Sequence, residues 1–101
     1  MKTLTATALL AMMMATPAFA DDDIREIRAY TQQLGLISVE EATAIALEAK
    51  PGVIDDIDLE NRKFGQGWDY EFEIIDADGV EWEVYINAKT GEVRKIERDW
   101  F

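Results

Sequence analysis

The sequence predicts an α+β fold in which one helix packs on one face of an antiparallel four-stranded meander sheet, with a short helix before it. Two runs of strictly alternating apolar residues flank an acidic, glycine-containing turn at residues 76–79, which is typical of a β-hairpin. A segment with helix-capping residues precedes the hairpin. The order of helix, helix and then strands favours a sheet whose helices lie on one side.

Residues 1–20 have the pattern of a secretory signal peptide. Lys2 gives a positive start, residues 4–15 are apolar, and Ala18-Phe19-Ala20 has the small-x-small form of a cleavage site. The apolar run is shorter than the roughly 20 residues that a membrane-spanning helix needs. We therefore expect cleavage after Ala20, a periplasmic or secreted mature protein, and no membrane insertion afterwards.

The composition narrows the classes of function. The formal net charge is −11, which disfavours nucleic acid and anionic lipid as partners and leaves a basic protein, a cation or simple solubility. The chain has no histidine and no cysteine, so the usual nucleophile–base pairs and the commonest metal ligands are absent. We expect a non-enzymatic protein without catalytic residues, cofactor or dedicated metal site.

Residues 21–36 are predicted to form an N-terminal helical arm. Its apolar residues recur at helical spacing, and Gly35 can end the helix: Ile24, Ile27, Tyr30 and Leu34. Such an arm can dock on a partner or pack on its own domain. We expect the second, because a helix of this length is marginal in isolation.

Residues 37–101 are predicted to form the main domain, which opens with a capped helix. Ser38 is placed to cap the helix and Glu41 to complete a capping box, while Pro51-Gly52 ends it. Ser38 is the only serine, but no histidine exists to activate it, so capping explains its position. Several alanines on this helix would let it lie close to a sheet that carries aromatic side chains.

The central hairpin predicts its own register. A three-residue loop at residues 77–79, with Gly79 in the left-handed conformation, would pair Ile74 with Trp82, Phe72 with Val84 and Tyr70 with Ile86. Both apolar rows then lie on one side of the sheet, and a slip of one residue would expose one of them.

The remaining strands flank this hairpin. Residues 53–63 should contain the first strand, and residues 92–98 the last. Val93 and Ile96 are both available for the core, but their spacing of three predicts a bulge or a twist. Trp100 and Phe101 are expected to cover an edge of the core.

The other face of the hairpin carries the candidate interaction residues, which are mostly acidic: Asp69, Glu71, Glu73, Glu81, Glu83 and Tyr85. In the predicted register Glu73 faces Glu83, and like charges directly opposite are destabilising. Arg62 and Arg94 on the flanking strands could neutralise them. The face is either an acidic platform for a basic partner or cation, or an ordinary solvated surface.

Calcium binding at the hairpin turn is a weaker hypothesis. Residues 76–79 read Asp-Ala-Asp-Gly, which lacks the first third of the D-x-[DN]-x-[DN]-G pattern of a calcium loop. Turn chemistry explains these residues better.

Several motifs together resemble a PepSY domain, the module of metallopeptidase propeptides and of spore-germination proteins. They are the capped helix of residues 38–52, the Ile57-Asp58-Leu59 strand, the run Trp68-Asp69-Tyr70-Glu71-Phe72-Glu73, and the segment of residues 84–93, which ends N-A-K-T-G-E-V. The resemblance spans roughly residues 37–97. The family usually has aspartate where this chain has Asn87, which keeps the turn chemistry.

The resemblance implies a small helix-on-sheet fold in the cell envelope or outside it, and inhibition or chaperoning of a peptidase. The family has no catalytic residues to carry over. The predicted function is therefore a periplasmic protein-binding module that inhibits or regulates a peptidase. The alternative is a ligand- or cation-sensing accessory of a signalling or membrane redox system.

Overall fold

The structure, a computed structural model, describes residues 22–99. The predicted signal peptide, Trp100 and Phe101 lie outside the described residues. Two helices precede four strands: α1 (Asp22–Leu34), α2 (Val39–Ala49), β1 (Val53–Arg62), β2 (Gly67–Ile75), β3 (Glu81–Asn87) and β4 (Val93–Arg98). This order confirms the predicted α+β fold.

The four strands form one antiparallel sheet in the order β1-β2-β3-β4, which is the predicted meander. The hairpin register is confirmed, because Ile74 pairs with Trp82 and Phe72 with Val84. Gly79 has a φ of +81°, and its N–H donates to the carbonyl oxygen of Asp76 at 2.9 Å. Glycine adopts this left-handed conformation at little cost, so the loop fixes the register.

The helix α2 begins at the predicted cap. The backbone N–H of Glu41 donates to Ser38 Oγ at 3.0 Å, which satisfies one of the unpaired groups at the helix start. Ala42 and Ala46 are fully buried, because α2 lies with its small side chains against the aromatic face of the sheet. The predicted fit of alanines on a sheet bearing aromatic residues is confirmed.

The core lies between this helix and the inner face of the sheet. Its fully buried large apolar residues come from β2 and β3: Tyr70, Phe72, Ile74, Val84 and Ile86. The Tyr70 hydroxyl donates to the carbonyl oxygen of Ile37 at 2.8 Å and thereby ties the start of α2 to the sheet. Burial of this phenol raises the pKa of Tyr70 to about 12.

The helix α1 also packs on the domain, as expected. Ile27 is buried in the core, and the N–H of Leu36 donates to the carbonyl oxygen of Thr31 at 2.9 Å where the helix ends. Tyr30 and Leu34 remain 47% and 40% exposed, so the arm covers its part of the sheet incompletely. Within residues 22–99, neither helix has the length and apolar character needed to cross a membrane.

Two β-bulges shape the sheet. The predicted bulge in β4 is present, since Lys95 pairs with Tyr85 while Val93 pairs with Ile86, which leaves Arg94 as the extra residue. Ile96 is 41% exposed and adds less to the core than its spacing suggests. A second bulge between Ile54 and Asp56 in β1 was not predicted. Both bulges alter which side chains meet on the outer face.

Candidate functional site

The outer face of the sheet carries a continuous row of four carboxylates, one on each strand. Asp56 pairs with Glu73, Glu73 with Glu83, and Glu83 with Glu97. Directly opposite residues of an antiparallel pair point to the same side of the sheet, so all four lie on one face. Both described helices lie on the opposite, inner face. We call the row Asp56, Glu73, Glu83 and Glu97 the carboxylate row.

Glu73 is half-buried and has three acidic residues near it. Its burial raises the pKa of Glu73 to about 7, and a hydrogen bond with Glu81 and the charges of Glu81, Asp56 and Asp55 act in the same direction. A protonated Glu73 donates to the Glu81 carboxylate, which removes one charge from the cluster. The predicted pairing with Glu83 is confirmed, but the main repulsion on Glu73 comes from Glu81, Asp56 and Asp55.

Glu71 forms a second group with Tyr85 and Glu83. The Tyr85 oxygen lies 2.8 Å from Glu83 Oε1 and 3.3 Å from Glu71 Oε2, and its single proton can serve only one of them at a time. Burial, followed by the charges of Glu60 and Glu83, raises the pKa of Glu71 to about 7. Burial and the neighbouring carboxylates also raise the pKa of the Tyr85 hydroxyl.

Asp69 differs from the other predicted interaction residues, because its side chain is only 3% exposed. Arg94 forms a bidentate pair with its carboxylate, and Arg62 Nε lies 3.7 Å from Asp69 Oδ2. The hydrogen bond to Asp69 raises the pKa of Arg94. The prediction that Arg62 and Arg94 neutralise Glu73 and Glu83 is therefore wrong: both arginines neutralise Asp69 at the other end of the sheet.

Lys95 is a positively charged neighbour of the carboxylate row. Lys95 lies 4.6 Å from the centroid of the Tyr85 ring and 3.8 Å from the carboxylate of Glu97. An exposed lysine at these distances supplies weak, solvent-screened attraction. Burial and the neighbouring carboxylates raise the pKa values of both Glu71 and Glu73 on this face.

Three carboxylates converge at one end of the row. Oxygen atoms of Asp55, Glu73 and Glu81 all lie within 4.8 Å of one another. Hard cations such as Ca²⁺ bind to carboxylate oxygens at 2.3–2.6 Å, so oxygens at this spacing can share one ion. Asp55 is the extra, unpaired residue of the β1 bulge, and its carboxylate lies with those of Glu73 and Glu81.

The hairpin turn, in contrast, uses its carboxylate internally. Asp76 Oδ1 accepts from the N–H groups of Asp78 and Val80 at 2.9 and 3.0 Å, and Oδ2 accepts from Trp82 Nε1 at 2.9 Å. These bonds lower the pKa of Asp76, with the Val80 N–H as the largest contributor. Turn chemistry accounts for Asp76, as the sequence indicates.

The structure brings five of the six predicted interaction residues together as half-buried side chains: Glu71, Glu73, Glu81, Glu83 and Tyr85. Sequence reasoning missed Asp55, Asp56 and Glu97. Alternation along β4 and its pairing with β3 could have identified Glu97. Asp55 depends on an unpredicted bulge, for which the sequence holds no clear signal.

Comparison with known families agrees with this geometry. The family model for the PepSY domain, described as "Peptidase propeptide and YPEB domain", matches residues 36–97. The chain belongs to the PepSY family. No curated protein and no solved structure matches it. PepSY domains are generally non-catalytic modules linked to peptidase propeptides and to peptidase regulation.

The match also locates the surfaces described above. The PepSY segment contains α2, the first three strands and β4 up to Glu97, and therefore the whole carboxylate row. At the usual aspartate position of the family, Asn87 Oδ1 accepts from the N–H groups of Lys89 and Thr90 at 2.8 and 3.1 Å. Asparagine thus makes the turn contacts expected of aspartate. The α1 helix precedes the matched segment.

Proposed function

We propose that this PepSY protein is an exported, non-catalytic module that binds a basic surface of a protein partner through its carboxylate row and thereby inhibits or regulates a peptidase. The observation that carries the proposal is the row of four carboxylates across the face of the sheet that neither described helix covers.

Charge complementarity supports a basic partner. Lysine or arginine side chains placed over the row would relieve the repulsion that Glu73 and Glu83 otherwise meet, so the free protein is electrostatically primed for them. Positive charges would lower the raised pKa values of Glu71 and Glu73. Binding should therefore release protons and strengthen as the pH rises through 7.

Composition supports a non-catalytic role. The chain contains no histidine and no cysteine, and its only serine caps α2. Nucleophilic and general acid–base catalysis would thus depend on carboxylates, lysines or tyrosines. Regulation through binding needs none of these groups to react.

Export is supported by the pattern of residues 1–20. Intact-mass measurement of the protein recovered from the periplasm should give a chain that begins at Asp21. Recovery of the full-length chain from the cytoplasm alone would contradict export.

The regulatory proposal can be tested with the envelope peptidases of the producing cell. We expect the purified protein to lower hydrolysis of labelled casein by the envelope fraction. The double variant Glu73→Gln/Glu83→Gln should need about tenfold more protein for the same effect, because two charges at the interface are lost. The matched control is Glu48→Gln/Glu92→Gln, which removes two exposed carboxylates elsewhere.

The two parts of the proposal fail separately. Unchanged casein hydrolysis with wild-type protein would contradict peptidase inhibition. Equal inhibition by wild type and the Glu73→Gln/Glu83→Gln variant would support peptidase inhibition but exclude the carboxylate row as the inhibitory surface.

Cation sensing is a second candidate, favoured by the convergence of Asp55, Glu73 and Glu81 within 4.8 Å. A cation there would compete with the proton on Glu73, so calcium binding should release protons in weakly buffered solution. Titration with Ca²⁺, followed by calorimetry and Trp82 fluorescence, should saturate in wild type and weaken in Glu73→Gln. No heat and no proton release up to millimolar Ca²⁺ would exclude this function.

A further inference from the structure

A groove lies on the inner side of the sheet, away from the carboxylate row, where α1 leaves the edge strand β1 partly uncovered. Its volume is about 400 Å³, within the range of ligand pockets. Ile27 and Tyr30 of α1 form one wall, and Leu59 and Trp68 of the sheet form the floor.

The aromatic part of the groove is suited to a cation. The rings of Tyr30 and Trp68 lie with their centroids 6.0 Å apart and are inclined by 31°. Tyr30 is 47% exposed and Trp68 is half-buried, so ring surface remains open to the groove. Trp and Tyr faces attract ammonium and guanidinium groups within about 6 Å.

The charge of the groove favours the same ligand. Glu26 precedes Tyr30 by four residues, so the two side chains lie on one face of α1, and Glu26 is exposed at the groove. Of the residues that line the groove, two are acidic and none is basic. An apolar floor, two aromatic rings and a carboxylate match a side chain with an alkyl stem and a positive end.

The groove also borders a strand edge. β1 is the first strand of the sheet and pairs only with β2 among the described residues. An exposed edge can accept an extended segment through main-chain hydrogen bonds. Beyond the end of β1, Phe64 is 93% exposed and offers a further apolar contact at this end of the sheet.

We propose that this groove binds a lysine or arginine side chain of an extended basic segment from a protein partner, which lies along the β1 edge. A second copy of this chain is disfavoured there, because the acidic residues of β1 would face their own copies: Asp55, Asp56, Asp58 and Glu60. The described chain ends at Asp99, whose N–H donates to the carbonyl oxygen of Glu81. This end of the described chain therefore lies at the opposite end of the sheet from the groove.

The test uses peptide probes and the mature protein in ¹H–¹⁵N NMR titrations. The first probe is the acetylated and amidated peptide Thr-Val-Lys-Val-Thr. We expect saturable shifts of the Trp68 indole N–H and of β1 backbone amides. A norleucine peptide, which keeps the stem but not the charge, should bind about fivefold more weakly. The third probe, n-pentylamine, should bind far more weakly than the lysine peptide.

Variants separate a site-specific loss from a folding defect. Glu26→Gln, an exposed substitution, should weaken binding of the lysine peptide about threefold, whereas the control Glu48→Gln should not. Trp68→Leu should abolish the peptide-induced shifts while the remaining spectrum stays dispersed.

Three results would overturn the proposal. Equal binding of the lysine and norleucine peptides would show that the groove does not recognise the positive charge. Equal binding of n-pentylamine and the lysine peptide would make the groove a small-amine site rather than a docking site for a segment. Absence of shifts at Trp68 with any probe would leave no binding site in the groove.

Discussion

Asp69 lies on the outer face of the sheet, but its side chain is buried and cannot contact a partner. Its carboxylate is buried and bound by Arg94 and Arg62. Its neighbours along β2, Glu71 and Glu73, are half-buried among other carboxylates, and their pKa values are raised. Alternation along one strand thus yields two kinds of acidic residue. Asp69 stabilises the sheet, and Glu71 and Glu73 remain available for electrostatic interaction.

This assignment predicts that Asp69→Ala is strongly destabilising. Removal of one partner leaves the two arginines without their shared carboxylate, and loss of one member of a buried pair costs about 3 kcal/mol. Urea unfolding followed by circular dichroism measures the change. The exposed control Glu48→Gln should alter the free energy of unfolding by less than about 0.5 kcal/mol. A comparably small loss for Asp69→Ala would contradict the structural role.

Among the secondary-structure elements, α2 and the hairpin are fixed both by local sequence features and by tertiary contacts. The cap at Ser38 starts α2 at the point where Ile37 accepts the Tyr70 hydroxyl, so the helix start is fixed from both sides. Gly52 then lets the chain pass close to β2, because a Cβ at that position would lie 2.4 Å from the carbonyl oxygen of Ile75.

Ser38→Ala should lower the free energy of unfolding by about 1 kcal/mol, because it removes the side-chain acceptor of the Glu41 N–H. Ser38→Asp should retain most of the stability, since aspartate is also a good N-cap. Thermal unfolding of the three proteins measures the difference. Equal destabilisation by alanine and aspartate would show that the hydroxyl does not act as a cap.

At the scale of the whole molecule, excess negative charge on one face sets the response to pH. Glu71 and Glu73 have pKa values raised from an ordinary 4.5 to about 7 in the folded protein. Their contribution to stability is complete below about pH 4.5 and is lost as the pH rises through 7. Glu40, whose pKa is lowered first by its hydrogen bond to Arg28, acts in the opposite direction at lower pH.

We therefore expect the melting temperature to be about 5 °C higher at pH 5 than at pH 8. For a domain of this size, such a shift corresponds to about 1 kcal/mol in the free energy of unfolding. Glu71→Gln/Glu73→Gln should flatten this dependence and raise the melting temperature at pH 8. Differential scanning calorimetry across this range provides the measurement. A melting temperature that rises between pH 5 and pH 8 would contradict the sign.

Most of the fold follows from local rules in the sequence, and part of the site does not. The three-residue loop with Gly79 fixes the hairpin register, and that register places Glu73 opposite Glu83. The partner of each arginine depends on tertiary detail: the β4 bulge adds Arg94 as an extra residue, which reaches Asp69 across β3. Alternation alone cannot predict a bulge at residue 55, so the convergence of Asp55 with Glu73 and Glu81 is visible only in the structure.

Regulation of a peptidase through the carboxylate row requires that this row, and not the exposed surface of α2, contacts the peptidase. Site-specific photo-crosslinking in the producing cell tests it directly, with p-benzoylphenylalanine in place of Glu97 in the row or of Glu48 on α2, both exposed. We expect a discrete adduct containing a peptidase from position 97, lost in the Glu73→Gln/Glu83→Gln background, and none from position 48. An adduct from position 48 with none from position 97 would contradict binding through the carboxylate row.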